Sequence, residues 1–104
     1  MALSIATSAD GDSRVIRVSG AVDVSNKEEL NAASADAQAA DAKEVEVDLT
    51  EVSYIDSSGI GVLVAAAHRA SDSDTRFFVS HPQRNVARVL SMLGMGEELG
   101  LAVD

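Results

Sequence analysis

The chain has 104 residues and a formal net charge of -9, and this length is enough for one domain with its own core. The acidic balance argues against nucleic acid as a partner, because phosphate binding needs a basic patch. The sequence contains no Cys, so disulfides, a thiol nucleophile and Cys-ligated metals are excluded.

No segment is typical of a membrane protein. The longest uninterrupted apolar run covers residues 62–67, far short of the roughly 20 residues that cross a bilayer. The first residues do not resemble a signal peptide or a myristoylation site. We therefore expect a cytoplasmic protein without membrane contact.

Two short strands are predicted at the start, over residues 3–6 and 15–18. The Asp10-Gly11 pair between them is a turn signal, so a β-hairpin is expected. Ser25 and Glu28 then fit a capping box, in which each side chain accepts an N–H group at the start of a helix. The helix that follows presents an apolar stripe made of Leu30, Ala33, Ala37 and Ala40.

Residues 43–49 alternate between apolar and acidic side chains, which predicts a strand with one buried face. The apolar side is formed by Val45, Val47 and Leu49, and the acidic side by Glu44, Glu46 and Asp48. A strand buried on both faces would not alternate in this way. We infer a sheet that carries its helices mainly on one face.

A second helix is predicted from Ser57 to about residue 70, and a further strand covers residues 75–79. The core face of this helix is expected at Ile60, Leu63, Val64 and Ala67. Pro82 suits the first turn of a third helix, with Ser80 or His81 as its cap and Gly94 at its end. Residues 99–103 are predicted as a weak edge strand.

This order of elements predicts a mixed α/β fold in a single domain over residues 1–104: an N-terminal hairpin, then alternating helices and parallel strands. Loops at the carboxyl ends of parallel strands meet at one edge of the sheet, where open α/β sheets usually place their sites. Asp23 follows the second strand and Ser58 follows the third. We therefore expect these two residues at the same edge.

Ideal helix geometry separates the two serines at the start of the second helix. With the core face as predicted, Ser57 falls on the flank near Val64 and suits a helix cap, whereas Ser58 falls on the outer face beside Val62. Val62, Ala65 and Ala66 would then form a small exposed apolar patch, which is typical of a contact surface. A helix N-terminus also favours a phosphate, because its N–H groups lack partners inside the helix.

The segment Asp56-Ser57-Ser58-Gly59-Ile60-Gly61-Val62-Leu63 resembles the signature of the STAS domain family (sulfate transporter and anti-sigma factor antagonist). The resemblance extends over nearly the whole chain. It includes residues 20–23, which resemble the first loop of the family, and residues 82–90, which resemble its last helix.

A STAS domain of this length resembles the bacterial anti-sigma factor antagonists. This resemblance implies phosphorylation of Ser58 by an anti-sigma factor that is itself a serine kinase and binds the ATP. The unphosphorylated form would bind the kinase and release a sigma factor, and a serine phosphatase would reset the switch. The partner-binding residues expected from this resemblance and from the predicted outer face of the second helix are Asp23, Asp56, Ser57, Ser58, Gly59, Gly61 and Val62.

Enzymatic function is not favoured by the motifs. A Gly-x-Ser-x-Gly nucleophile motif is absent around Ser57 and Ser58, and the acidic residues near the turn are spread over different surfaces. We expect no catalytic residue, bound metal or cofactor. Two alternatives share the fold: an accessory subunit of a lipid-transport ABC system, which would bind the transporter ATPase, and a scaffold subunit of a stress-signalling complex.

Overall fold

The computed structural model describes residues 3–40, 42–92 and 94. A β-hairpin is its first feature along the chain. Its strands are β1 (Ser4–Asp10) and β2 (Ser13–Val22), and they pair antiparallel along the whole length of β1. Gly11 lies in the turn with a φ of 59°, a conformation that glycine adopts without steric cost. The predicted hairpin is confirmed.

The remaining elements are α1 (Lys27–Ala39), β3 (Glu44–Ile55), α2 (Ser57–Asp72), β4 (Arg76–Ser80) and α3 (Arg84–Met92). The sheet has the order β1-β2-β3-β4, and β3 pairs in parallel with both β2 and β4. These observations confirm the predicted mixed α/β fold. The strand predicted over residues 99–103 lies outside the described residues.

One face of the sheet is packed beneath the helices. The apolar side of β3 is fully buried, since Val45, Val47 and Leu49 each have 0% exposure. Leu30 of α1 and Leu63 of α2 are buried in the same cluster. The alternation in β3 therefore predicted its buried face correctly.

The opposite face of β3 carries the acidic residues, each half-buried and each with a polar partner from a neighbouring strand. Glu44 accepts a hydrogen bond from Arg76 at 2.8 Å, and Glu46 accepts one from the Ser80 hydroxyl at 2.5 Å. Asp48 lies 3.9 Å from the Arg17 guanidinium. Cross-strand pairs thus offset much of the repulsion within this row of carboxylates.

Two irregularities lengthen β3 relative to β2. Arg17 pairs with Asp48 but Ser19 pairs with Glu51, and a second shift follows Gly20. Each shift inserts an extra residue, so the buried positions after residue 49 come three residues apart, at Val52 and Ile55. The carboxyl end of β3 consequently lies level with the end of β2.

The start of α3 covers the part of β3 that extends beyond β4. Gln83 donates its side-chain N–H to the carbonyl of Thr50 at 3.0 Å, and Asn85 donates to the carbonyl of Ser53 at 2.9 Å. Among the described residues, neither Thr50 nor Ser53 has a register partner on β2 or β4, so these side chains supply hydrogen bonds where the strand pairing is interrupted.

The predicted start of α3 was wrong. The helix begins at Arg84, so Pro82 precedes it, and Ser80 belongs to β4 rather than to a cap. His81 has a φ of 52°, which lies outside the extended conformation of β4 and ends the strand there. Gly94, with a φ of 70°, follows the helix as predicted.

Candidate functional site

Asp56 organises the turn between β3 and α2. Its backbone is extended, and its carboxylate oxygen Oδ1 accepts the N–H of Gly59 at 3.1 Å, so Asp56 is the N-cap of α2. Its own N–H donates to the carbonyl of Val22 at 3.1 Å. This second bond joins the start of α2 to the end of β2, next to Asp23, and confirms the predicted shared edge.

Gly59 allows this close approach. A Cβ placed on Gly59 would lie 2.7 Å from Cγ1 of Val22 and 2.7 Å from Cγ1 of Ile55. Gly59 is buried, so its part in the site is to position the helix rather than to touch a partner. Gly61, by contrast, is exposed and has open space where a Cβ would stand.

The predicted exposure of the two serines was wrong. Ser57 is exposed and is not the cap, while Ser58 is half-buried on the flank of the helix. The buried face of α2 centres on Gly59, Leu63 and Ala66, roughly a quarter of a turn from the predicted centre. This rotation exchanges the environments of the two hydroxyls.

The same rotation removes the predicted apolar patch. Val62 has only 9% exposure and Ala66 has 0%, so both belong to the packed face of α2. Only Ala65 of the three predicted residues is exposed. Val62 is therefore corrected from a partner-binding residue to a core residue.

The loop between β2 and α1 is held by its own polar side chains. Asp23 Oδ1 accepts hydrogen bonds from the N–H of Ser25 at 2.9 Å and from its hydroxyl at 2.5 Å. Asn26 donates to the carbonyl of Ala21 and accepts the N–H of Asp23, each at 2.9 Å. The Ser25 hydroxyl, and then the Ser25 N–H, lower the pKa of Asp23 below its ordinary value. Asp23 is therefore a fixed anion beside the turn.

These bonds also explain why the capping box did not form. The Ser25 hydroxyl is engaged by Asp23, and α1 begins at Lys27 with Asn26 as its N-cap. Asn26 makes no side-chain bond to the helix, because its amide is committed to the loop. The Ser25 hydroxyl, which the sequence pattern predicts as part of the helix cap, therefore forms its hydrogen bond within the loop instead.

Two exposed apolar side chains near the turn were not predicted from the sequence. Val24 has 67% exposure and lies in the loop directly after Asp23. Tyr54 has 54% exposure and lies in β3, two residues before Asp56. A Val between polar loop residues and an aromatic residue in a strand carry no distinguishing periodicity. Only the fold brings them to the same edge.

The site thus offers two hydroxyls, two carboxylates and the first-turn N–H groups of a helix. Such a helix start stabilises an added anion through its N–H groups and its dipole. Neither histidine lies beside the serine pair: His68 is about 15 Å along α2 from Ser58, and His81 lies near Asp48. Within the described ranges, no group of three metal-ligating side chains is found, and no helix is long and apolar enough to span a membrane.

Comparisons with known proteins agree on the fold. The model of the family described as "Mlab, STAS domain" matches residues 5–102. The anti-sigma-B factor antagonist of Staphylococcus epidermidis is 26% identical over 95 residues, which are 91% of this chain and 88% of that protein.

Solved structures give the same picture. An anti-sigma factor antagonist from Mycobacterium paratuberculosis superposes with a TM-score of 0.88 at 20% identity, over 99% of this chain and 87% of that one. The Bacillus cell fate determinant SpoIIAA, in its phosphorylated form, superposes with a TM-score of 0.74 at 20% identity, over 97% and 93% of the two chains.

Proposed function

Since this chain belongs to the STAS domain family, we propose that it is an anti-sigma factor antagonist without catalytic activity of its own. In its unphosphorylated form it binds an anti-sigma factor serine kinase and so releases a sigma factor. Phosphorylation of Ser58, with ATP bound by the kinase, ends this binding, and a serine phosphatase restores it.

The observation that carries the proposal is the serine pair at the capped start of α2. Asp56 is bonded both to the N–H of Gly59 and to the carbonyl of Val22, so the turn that carries the two hydroxyls is attached to α2 and to β2. The antagonist relative from Staphylococcus and the phosphorylated SpoIIAA structure support the same role. Ser58 remains the proposed acceptor because it matches the phosphorylated serine of the family signature and is not fully buried.

The proposed contact surface surrounds this turn. It comprises Asp23, Asp56, Ser57, Ser58 and Gly61, with Val24 and Tyr54 added as apolar contacts. Exposed aromatic and aliphatic side chains beside polar groups are typical of protein interfaces. Gly59 is buried and positions the start of α2 rather than forming part of this surface.

Phosphorylation would act on the contact rather than on the fold. A phosphate adds about -1.5 to -2 charges at a helix start that favours anions, a benefit of typically about 0.3–1 kcal/mol. This energy is too small to rearrange the core. The phosphate would, however, join the carboxylates of Asp23 and Asp56 at the surface, and like-charge contacts at an interface cost several kcal/mol.

Binding measurements test this switch. Ser58→Asp should bind the anti-sigma factor at least about tenfold more weakly than Ser58→Ala, which corresponds to about 1.4 kcal/mol. Its melting temperature should stay within a few degrees of the wild type. A large loss of stability in Ser58→Asp would mean that the switch acts through the fold instead.

A second candidate is favoured by the description of the matching family model, which names Mlab and no anti-sigma factor. On this second candidate, the chain would be an accessory subunit of a lipid-transport ABC system. A scaffold subunit of a stress-signalling complex is the third possibility within this fold. A pull-down from the source cell with identification by mass spectrometry separates them. Recovery of an anti-sigma kinase supports the proposal, whereas recovery of a transporter ATPase supports the second candidate and rejects the first.

A further inference from the structure

The outer edge of β1 is unprotected. Among the described residues no strand pairs with this edge, and the pairing of β1 with β2 has no bulge. Its sequence, Ser-Ile-Ala-Thr-Ser-Ala-Asp, contains no Pro or Lys and has a single charge, at the hairpin end. Natural edge strands usually carry such features to prevent association with another strand.

The other side of the sheet differs. The end of β3 is covered by side chains at the start of α3, and β4 is a five-residue strand with Arg76 on it. The seven-residue β1 is thus the longer edge strand of the described sheet and the less protected one.

An open groove of about 590 Å³ lies between β1 and α1. The apolar part of its lining includes Leu3 and Ile5 from the strand side, and the helix side is built from small alanines such as Ala33 and Ala37. Arg14 stands in the lining opposite the carboxylates of Glu29 and Asp36 on α1. The small helix side chains leave room beside the strand for a further element.

The strand is complementary to itself. When two antiparallel copies of a strand are related by a two-fold axis, residues opposite each other must point to the same face of the sheet. Because successive side chains alternate between the two faces, the axis then passes through a residue and not between two residues. An axis through Thr7 pairs all seven residues. The opposed side chains are then Ser4 with Asp10, Ile5 with Ala9, Ala6 with Ser8, and Thr7 with itself.

This arrangement has no unfavourable pair. No two like charges lie opposite each other, every opposed pair contains at least one small side chain, and a Thr–Thr pair is a favourable cross-strand contact. An axis perpendicular to the sheet also keeps the helices of both copies on the same face, so the two grooves adjoin.

We propose that β1 is a self-association surface, through which a second copy of this chain adds its own β1 antiparallel about Thr7 and extends the sheet. The backbone groups of the outer edge supply the affinity, and the adjoining grooves are covered by the second copy. The contact is small, so the dimer dissociates on dilution. Each copy has a formal net charge of -9, so association strengthens as salt screens the repulsion between the two copies.

A single-cysteine experiment tests the register, because the chain has no native Cys. Thr7→Cys places the two thiols across the axis, where the Cα separation of opposed residues, about 4.5–5.5 Å, falls within the range of a disulfide. Oxidation should give a disulfide-linked dimer on a non-reducing gel. Ser4→Cys is the matched control: Ser4 is also exposed but lies across from Asp10 of the second copy, so it should form no disulfide-linked dimer.

Sedimentation equilibrium on the native chain gives the second readout. A monomer–dimer equilibrium is expected, shifted toward dimer by added salt and toward monomer by Thr7→Lys, whose melting curve at high dilution should match the wild type. A native chain that stays monomeric up to about 1 mM, where a dimer with a Kd below about 1 mM would be visible, overturns the proposal. Equal cross-linking of the two cysteine variants does so too.

Discussion

Replacing Gly59 by Ala should destabilise the domain, although Ala is normally the better helix residue. The added methyl would stand 2.7 Å from carbon atoms of Val22 and Ile55, whereas carbons at van der Waals contact lie about 3.5–4.0 Å apart. Val22 and Ile55 have 0% and 3% exposure, so neither can turn toward solvent. The start of α2 would have to move away from the sheet.

The magnitude follows from two opposing terms. Overpacking of a dense core costs typically about 1–3 kcal/mol, and the exchange of Gly for Ala within a helix returns at most about 1 kcal/mol. With the full return of about 1 kcal/mol, a net loss of up to about 2 kcal/mol is therefore expected, and each kcal/mol lowers the melting temperature by about 4–8 °C in a domain of this size.

Gly61→Ala is the matched control, because Gly61 lies in the same helix with open space at the Cβ position. This variant should gain about 0.5–1 kcal/mol. Urea unfolding followed by circular dichroism measures both variants against the wild type. A Gly59→Ala protein as stable as Gly61→Ala would refute the close packing of the α2 start on β2 and β3.

Three further predictions concern the same edge. Asp56→Ala should lose about 1 kcal/mol of unfolding free energy with the helix cap, and Asp56→Asn should lose little; equal losses in urea unfolding would argue against a capping role. Val62→Glu should lower the free energy of unfolding by several kcal/mol because it buries a charge. Its control Ala65→Glu, at an exposed position, should melt within a few degrees of the wild type. A stable Val62→Glu would mean that Val62 lies at the surface. Ser25→Ala should raise the pKa of Asp23 toward its ordinary value in an NMR titration, because the main bond that lowers it is removed. The lowered pKa of Asp23 stabilises the folded wild type fully at pH values above the ordinary carboxyl pKa, and this stabilisation is lost as the pH falls through the pKa of Asp23 in the folded chain. Ser25→Ala has less of this stabilisation to lose. Its free energy of unfolding should therefore fall less than that of the wild type over the same acidic pH range.

The fold was predictable from the sequence because several independent signals agreed. The Asp10-Gly11 turn, the alternation through Val45 and Val47, and the small polar residues after β3 each specify local structure. The parallel arrangement of the later strands then follows from their helical connections.

The orientation of α2 was not predictable from periodicity. Apolar side chains occur on several of its faces, so Ile60 and Val64 define one stripe while Val62 and Ala66 define another. We attribute the choice between them to the close packing at Gly59, which adds nothing to a hydrophobic pattern but leaves no room for a Cβ beside Val22 and Ile55. The environments of Ser57 and Ser58 follow from that contact.

The capping box failed for a related reason. Ser25 and Glu28 have the right spacing, but the pattern does not include Asp23, which binds the Ser25 hydroxyl first. Competition between a loop and a helix for the same donor is decided by three-dimensional geometry.

The most direct test of the proposed switch is to map the phosphorylated residue. The chain would be incubated with its partner anti-sigma kinase and ATP, digested, and sequenced by mass spectrometry, with Ser58→Ala and Ser57→Ala as controls. Phosphate is expected on Ser58, lost in Ser58→Ala and kept in Ser57→Ala. Phosphate on the more exposed Ser57, or on neither serine, would contradict it.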